Sequence, residues 1–156
     1  MSVTRAEITD DFDVARALFR EYAGSLGVDL CFQGFEAELT ALDRVYGPPG
    51  GSLLLARDGG EPAGCVAVRP LPAAGDRACE MKRLYVRPAY RGRGLGRELA
   101  EAVVEEGRRL GYGRMVLDTL DRMEGAQAVY RALGFREVPP YYANPLDGVR
   151  YMAADL

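Results

Sequence analysis

Glu80-Met81-Lys82-Arg83-Leu84-Tyr85-Val86-Arg87-Pro88-Ala89-Tyr90-Arg91-Gly92-Arg93-Gly94-Leu95-Gly96 runs from an apolar, β-compatible stretch through three alternate glycines to the start of an amphipathic segment. The pattern predicts a strand, a tight turn and a helix. Gly92, Gly94 and Gly96 let backbone N–H groups approach a ligand with no side chain in the way. The first turn of the helix adds unpaired N–H groups and the positive end of its dipole. Such a turn suits a pyrophosphate. Lys82, Arg83, Arg87, Arg91, Arg93 and Arg97 fall within sixteen residues that contain no acidic residue, so the segment either attracts a small polyanion or forms a solvated basic face.

Spacing discriminates among the phosphate-binding turns. A P-loop needs Gly-Lys followed by Ser or Thr, whereas Gly96 is followed by Arg97-Glu98. A dinucleotide fingerprint needs a third glycine three residues after the second, and the corresponding positions are Arg97 and Leu99, although Asp118 lies near a later strand end. A tight loop with no ligand, or an arginine-rich RNA patch, are the plain alternatives.

Outward from the turn, the chain reads as alternating strands and helices with no repeat or long linker. Val3 to Ile8 is an expected strand, and Asp10 or Asp11 caps a helix whose apolar face is Phe12, Ala15, Leu18, Phe19, Tyr22 and Leu26. An apolar connection from Leu30 to Phe35 leads to a shorter helical pattern through Leu39, Leu42 and Tyr46, ended by Gly47-Pro48-Pro49-Gly50-Gly51. Ser52 to Arg57 and Ala63 to Val68 form an expected hairpin around Asp58-Gly59-Gly60-Glu61. Cys79 to Val86 (strand), Leu95 to Leu110 (helix) and Met115 to Thr119 (strand) make a right-handed unit with parallel strands. Gly125 to Leu133 is a short helix ended by Gly134, and Val149 to Ala153 a last strand. The fold class is α/β (α+β), a mixed sheet covered by helices in one domain spanning 1–156.

Composition narrows the chemistry. There is no histidine, which removes Ser-His-Asp and Cys-His catalysis and most zinc sites, so no metal is expected and acid–base work falls to carboxylate, Tyr, Lys or Cys. A net charge of −3 argues against a general nucleic-acid or membrane binder. No apolar run approaches the roughly 20 residues that span a bilayer, and the first residues lack a secretory pattern. Cys31, Cys65 and Cys79 form no close pair, so reduced thiols and a cytoplasmic setting are expected.

What remains is Arg-x-x-Gly-x-Gly at Arg91, Gly94 and Gly96, which resembles the coenzyme A signature of the GNAT superfamily of acyl-CoA-dependent N-acyltransferases. Val86-Arg87-Pro88, the strand Met115 to Thr119, Ala126, Tyr130 and Leu133-Gly134-Phe135 also fall where that family has matching features, so the likeness covers roughly Ser52 to Phe135. Met123 stands where the family often has an Asn. The resemblance implies a strongly twisted sheet of about six or seven strands, splayed near its middle, with acetyl-CoA as co-substrate. The pantetheine arm would lie along the strand ending at Val86. It further implies coenzyme contacts from Leu84, Tyr85, Val86, Arg91, Gly92, Arg93, Gly94, Leu95, Gly96 and Arg97.

Acetyl transfer to an amine would then need a neutral nitrogen, a polarised thioester and a stabilised thiolate. An alkylamine with a pKa near ~10.4 is largely protonated at neutral pH, so a base is useful. Glu80 matches the position where several family members carry a general-base glutamate, acting directly or through water; the plain alternative is a carboxylate paired with a nearby arginine. A backbone N–H near Leu84 or Tyr85 would hold the carbonyl oxygen. Tyr130 matches a tyrosine facing the coenzyme sulfur. Cys79, without a histidine to activate it, is expected to be a buried thiol, which leaves direct attack in a ternary complex. Phe32, Gln33, Phe35, Tyr141, Tyr142 and Asn144 are the expected acceptor wall. The acceptor is a small-molecule or peptide amine, and a homodimer is left open. The rival from another class is a non-catalytic acyl-CoA sensor.

Overall fold

The computed structural model describes residues 1–27, 29–30 and 34–156. Its strands are β1 (Ser2–Arg5), β2 (Ser52–Asp58), β3 (Glu61–Pro70), β4 (Ala78–Val86), β5 (Arg114–Leu120), β6 (Arg136–Glu137) and β7 (Val149–Asp155). The helices are α1 (Thr9–Leu26), α2 (Phe35–Thr40), α3 (Leu42–Val45), α4 (Leu95–Arg109) and α5 (Glu124–Ala132). One seven-stranded sheet runs in the order β1-β2-β3-β4-β5-β7-β6. Every pairing is antiparallel except β4 with β5, the two strands joined through α4.

Local chemistry explains most of these elements. The β2–β3 hairpin closes on Gly59 and Gly60, both at positive φ (58° and 88°), which a two-residue primed turn requires. α1 starts at Thr9, earlier than the Asp10 or Asp11 cap expected, because the Asp11 carboxylate bonds backward, accepting from the Glu7 N–H at 3.0 Å. That turn shortens the first strand, expected to reach Ile8, to Ser2–Arg5. Gly134, at φ 94°, follows α5 as its expected stop. β6 was not foreseen, since two residues leave no periodicity to read.

Two cores sandwich the sheet. Leu95, Leu99, Val103 and Val104 of α4 pack on Val66, Val68, Cys79, Met81, Met115 and Leu117. On the other face Ala15, Leu18 and Phe19 of α1 join Leu39, Leu42 and Tyr46 over Leu53, Leu55, Cys65, Ala67 and Tyr85. β4 is therefore covered on both sides, and the pleat sends Cys79 and Met81 toward α4 and their neighbours Glu80 and Lys82 toward α1–α3.

Two features of β4 shape the site. Opposite β3, Tyr85 pairs with Cys65 but Lys82 with Ala67, so Arg83 and Leu84 together face Val66, a β-bulge with Arg83 at φ 60°. Opposite β5, pairing covers only Ala78–Glu80 with Arg114–Val116, after which the two strands part while β5 continues along β7 to Leu120. The sheet is splayed at its middle.

Candidate active site

The turn after β4 carries the first half of the site. Gly92 and Gly94 sit in the left-handed region at φ 78° and 80°, and a Cβ added at either would meet no protein atom within 4 Å. Their need is conformational, and the space beside them is open. The helical ladder of α4 begins with the Glu98 N–H donating to the Gly94 carbonyl at 3.1 Å, which leaves the N–H groups of Leu95, Gly96 and Arg97 without intrahelical partners. A cleft of about 630 Å³ opens there, lined by Leu84, Tyr85 and Val86 of β4, by Arg91, Gly92, Gly94, Leu95 and Gly96, and across from them by Ala126 and Val129 of α5.

The basic cluster read from the sequence does not stay together. Lys82 and Arg83 are buried, at 5% exposure each, and Arg87 is bound to Glu21 of α1 through two guanidinium nitrogens. Arg91 donates to the Val86 carbonyl at 2.9 Å and keeps its place at the cleft. Arg93 lies 3.7 Å from Asp58 and Arg97 pairs with Glu101 at 2.8 Å, so neither lines the cleft, although both were expected as coenzyme contacts. The reason is local: each is drawn to a carboxylate away from the cleft, Arg93 to Asp58 at the end of β2 and Arg97 to Glu101 one turn along α4. Tyr22 and Leu26 of α1, with Arg122 and Met123 after β5, also line the wall; the sequence marks Met123 only as a departure from the family's Asn, and Tyr22 and Leu26 read there as an ordinary apolar helix face.

Arg83 anchors the bulge. Its guanidinium makes a two-pronged pair with Glu38 of α2 at 3.0 and 2.9 Å, both side chains buried, and lies over the Phe35 ring at 5.2 Å. Desolvation pulls its pKa down, yet the hydrogen bond and charge of Glu38 outweigh this and hold it above the usual arginine value. Phe35, expected in the acceptor wall, is a buried platform for this ion pair. Phe32 and Gln33 lie outside the described residues.

The second half of the site is the split between β4 and β5. It is lined by Lys82, Arg83 and Leu84 from one strand, Asp118 and Thr119 from the other, and by Tyr130 and Asn144. Tyr22, Leu26, Leu84 and Met123 line both this split and the cleft, so the two spaces meet across them. Tyr130 stands on α5 one turn beyond Ala126, with its ring 5.9 Å from Phe135 and no hydrogen bond to its hydroxyl among the described residues. Burial pushes its pKa well above the phenol range.

Glu80 is 1% exposed and forms the cross-strand pair with Arg69, whose Nε donates to Oε1 at 2.9 Å. Its other oxygen accepts from the Tyr141 hydroxyl at 2.6 Å. Tyr141 itself is forced far above its usual pKa, first by burial and then by the Glu80 charge. Tyr142 donates to Asp118 Oδ2, which Asn144 Nδ2 also reaches at 3.3 Å. Tyr141, Tyr142 and Tyr151 pack with centroids 5.3 to 5.7 Å apart. The segment between β6 and β7 thus brings Tyr141, Tyr142 and Asn144 to the same face as Glu80. Cys79 is fully buried, its thiol pushed up to about 12 by desolvation, as an inert core thiol should be. Among the described residues no cluster of metal-ligating side chains occurs, and no helix is long and apolar enough to cross a membrane.

A mixed sheet split beside a glycine turn, with a helix N-terminus at the cleft, is the arrangement the family resemblance implied. The chain belongs to the acetyltransferase (GNAT) family, whose family model matches residues 13–135. It is 43% identical over 157 residues to an uncharacterized N-acetyltransferase, C1271.07c, of Schizosaccharomyces pombe, covering 100% of this chain and 95% of that one. Its fold matches an acetyltransferase from Streptococcus agalactiae with a TM-score of 0.78 at 20% identity, over 99% and 98% of the two chains. It also matches the PaiA N-acetyltransferase of Thermoplasma acidophilum, solved in complex with coenzyme A, with a TM-score of 0.71 at 16% identity over 100% of each.

Proposed function

We propose that this acyltransferase moves an acetyl group from acetyl-CoA to an amine by direct attack. The observation that carries the reading is the continuity of the cleft at the α4 N-terminus with the β4–β5 split. A pyrophosphate on the free N–H groups of Leu95 to Arg97 leaves the pantetheine arm to run along Leu84–Val86, which puts a thioester at the junction lined by Leu84 and Met123. The coenzyme supplies the activated acetyl group; the chain supplies position and charge.

Among the described residues, backbone along β4 past Glu80 has no strand partner on the β5 side, so an N–H of the bulge can turn to the acetyl carbonyl oxygen. Tyr130 lines the split that meets this junction, and in this reading its hydroxyl reaches the coenzyme sulfur. With a pKa held so high it stabilises a departing thiolate as a hydrogen-bond donor and does not surrender its proton outright. Two carboxylates on the acceptor face can take the amine's proton: Glu80 through the Tyr141 hydroxyl, and Asp118 directly.

The test is thiol release from acetyl-CoA with ethylamine, 1,4-diaminobutane, glycinamide and lysine as acceptors, with acetylated product identified by mass spectrometry. The expected result is amine-dependent release. Tight acetyl-CoA binding with no release above the buffer rate for any amine would favour a sensor and end the transfer reading.

A further inference from the structure

Glu80 and Asp118 share a face of the sheet but are held in different ways. Glu80 has both carboxylate oxygens occupied, Oε1 by Arg69 and Oε2 by Tyr141, and it is not among the residues lining the split. Its surroundings are those of a structural pair. Asp118 lies two residues beyond Val116, the last β5 residue paired with β4, so it stands at the point where the strands have just opened. On its other side it is fixed opposite Tyr151 of β7.

Only one oxygen of Asp118 is used. Oδ2 accepts from Tyr142 and Asn144, whereas Oδ1 takes no hydrogen bond among the described residues and Asp118 lines the split. Asn144 also donates to the Tyr142 oxygen at 2.8 Å, and its own Oδ1 accepts from the Leu146 N–H at 2.9 Å, so the group that aims Asp118 is itself pinned. Lys82 and Arg83 line the same split from β4, but Glu38 neutralises Arg83 and burial lowers the Lys82 pKa, so a carboxylate oriented from behind with one oxygen unbonded is suited to an ammonium ion. Leu26, Leu117, Leu120 and Val149 also line the split, which favours an amine carried on an aliphatic stem.

Resting on the acetyl-transfer reading above, we propose that Asp118 Oδ1 receives the acceptor's ammonium group and removes its first proton, while Glu80 positions Tyr141. In balance, R-NH₃⁺ gives one proton to Asp118 and becomes a neutral amine. The nitrogen lone pair forms the C–N bond at the thioester carbonyl and the C–S bond breaks with its electron pair on sulfur. The second nitrogen proton ends on that sulfur, giving amide and free thiol, and Asp118 returns its proton to solvent.

The experiment compares ethylamine with trifluoroethylamine, whose electron-withdrawing fluorines leave its nitrogen largely neutral at neutral pH, in wild type, Asp118→Asn and Glu80→Gln. Asp118→Asn should lower kcat/KM for ethylamine about a hundredfold or more, the scale of a lost general base. The loss with trifluoroethylamine should be at least tenfold smaller, and acetyl-CoA affinity should stay within twofold. Glu80→Gln should lower both amines by the same, smaller factor. A purely structural role for Asp118 would penalise both amines alike, and that result, or wild-type rates in Asp118→Asn, overturns the assignment. Should Asp118→Asn not fold, Tyr142→Phe keeps the carboxylate but frees its aim, and must raise the KM for ethylamine severalfold without moving that for acetyl-CoA; an unchanged amine KM is equally fatal. Absence of turnover by wild type with any amine would instead remove the acetyl-transfer reading, and this inference with it.

Discussion

The two ends of β4 are built differently. From Ala78 to Glu80 the strand is sealed between β3 and β5, and its side chains serve the cores or the Arg69 pair. From Met81 to Val86 it has β3 on one side only, carries a bulge at Arg83 and opens onto both the split and the cleft. The first end holds the sheet together, and the second gives up sheet hydrogen bonds to present backbone to a ligand. The Arg83–Glu38 pair is the joint between them, since it fixes a left-handed residue within a strand by charge and packing.

Removing that joint should have the largest effect on stability. Glu38→Ala leaves a buried guanidinium without its partner, and the expected cost is about 3–5 kcal/mol, read by denaturant unfolding. A loss below about 1 kcal/mol would mean the bulge is held by the chain alone, and the contrast between the two ends would dissolve.

Tyr130→Phe comes next. Loss of a hydrogen bond to the leaving thiolate should lower the single-turnover rate about ten- to a thousandfold while leaving the melting temperature and acetyl-CoA affinity close to wild type. An unchanged rate in Phe, with Ala merely less stable, would make Tyr130 a packing residue beside Phe135 and return the junction to the core.

The smallest effect belongs to the sealed side of the molecule. Glu106 of α4 is pushed upward by burial, yet bonds to Arg109 and the Ser52 hydroxyl, with the charges of Arg109 and Arg5, outweigh this and hold its pKa below the usual carboxylate value. A depressed folded-state pKa stabilises above the unfolded value, and that contribution is lost as pH falls through the folded one. Glu106→Gln should therefore be less stable than wild type at neutral pH, and the gap should close below about pH 4, followed by thermal melting against pH. A gap that is constant with pH would show that the carboxylate's charge is not what Glu106 contributes.

The contrast also explains what could be read from the sequence. The coenzyme side is local: Arg91, Gly92, Gly94 and Gly96 are near neighbours whose spacing states a backbone geometry, so the turn, the helix and the cleft were legible. The strand-helix-strand unit and its parallel pairing followed from periodicity. The splay came through the family likeness. The acceptor side is assembled from Glu80, Asp118 and the segment from Tyr141 to Asn144, which no spacing connects. Those tyrosines could be flagged as an aromatic turn, but their pairing with two different carboxylates depends on β7 lying between β5 and β6. Burial is likewise invisible in composition, which is why Lys82 and Arg83 counted as a basic patch and then proved to be interior.

The central claim is that the glycine turn and α4 bind the coenzyme, and calorimetric titration with acetyl-CoA tests it most directly. Gly94→Ala imposes a left-handed φ of 80° on a residue with a Cβ, a strain of about 1–2 kcal/mol, but adds only a methyl group to the open space; Gly94→Glu adds to that strain bulk and negative charge. With circular dichroism confirming folded protein throughout, wild type should bind one equivalent of acetyl-CoA, Gly94→Ala should bind more weakly, and Gly94→Glu should show no isotherm. Equal binding by wild type and Gly94→Glu, or no binding by wild type, would contradict the account.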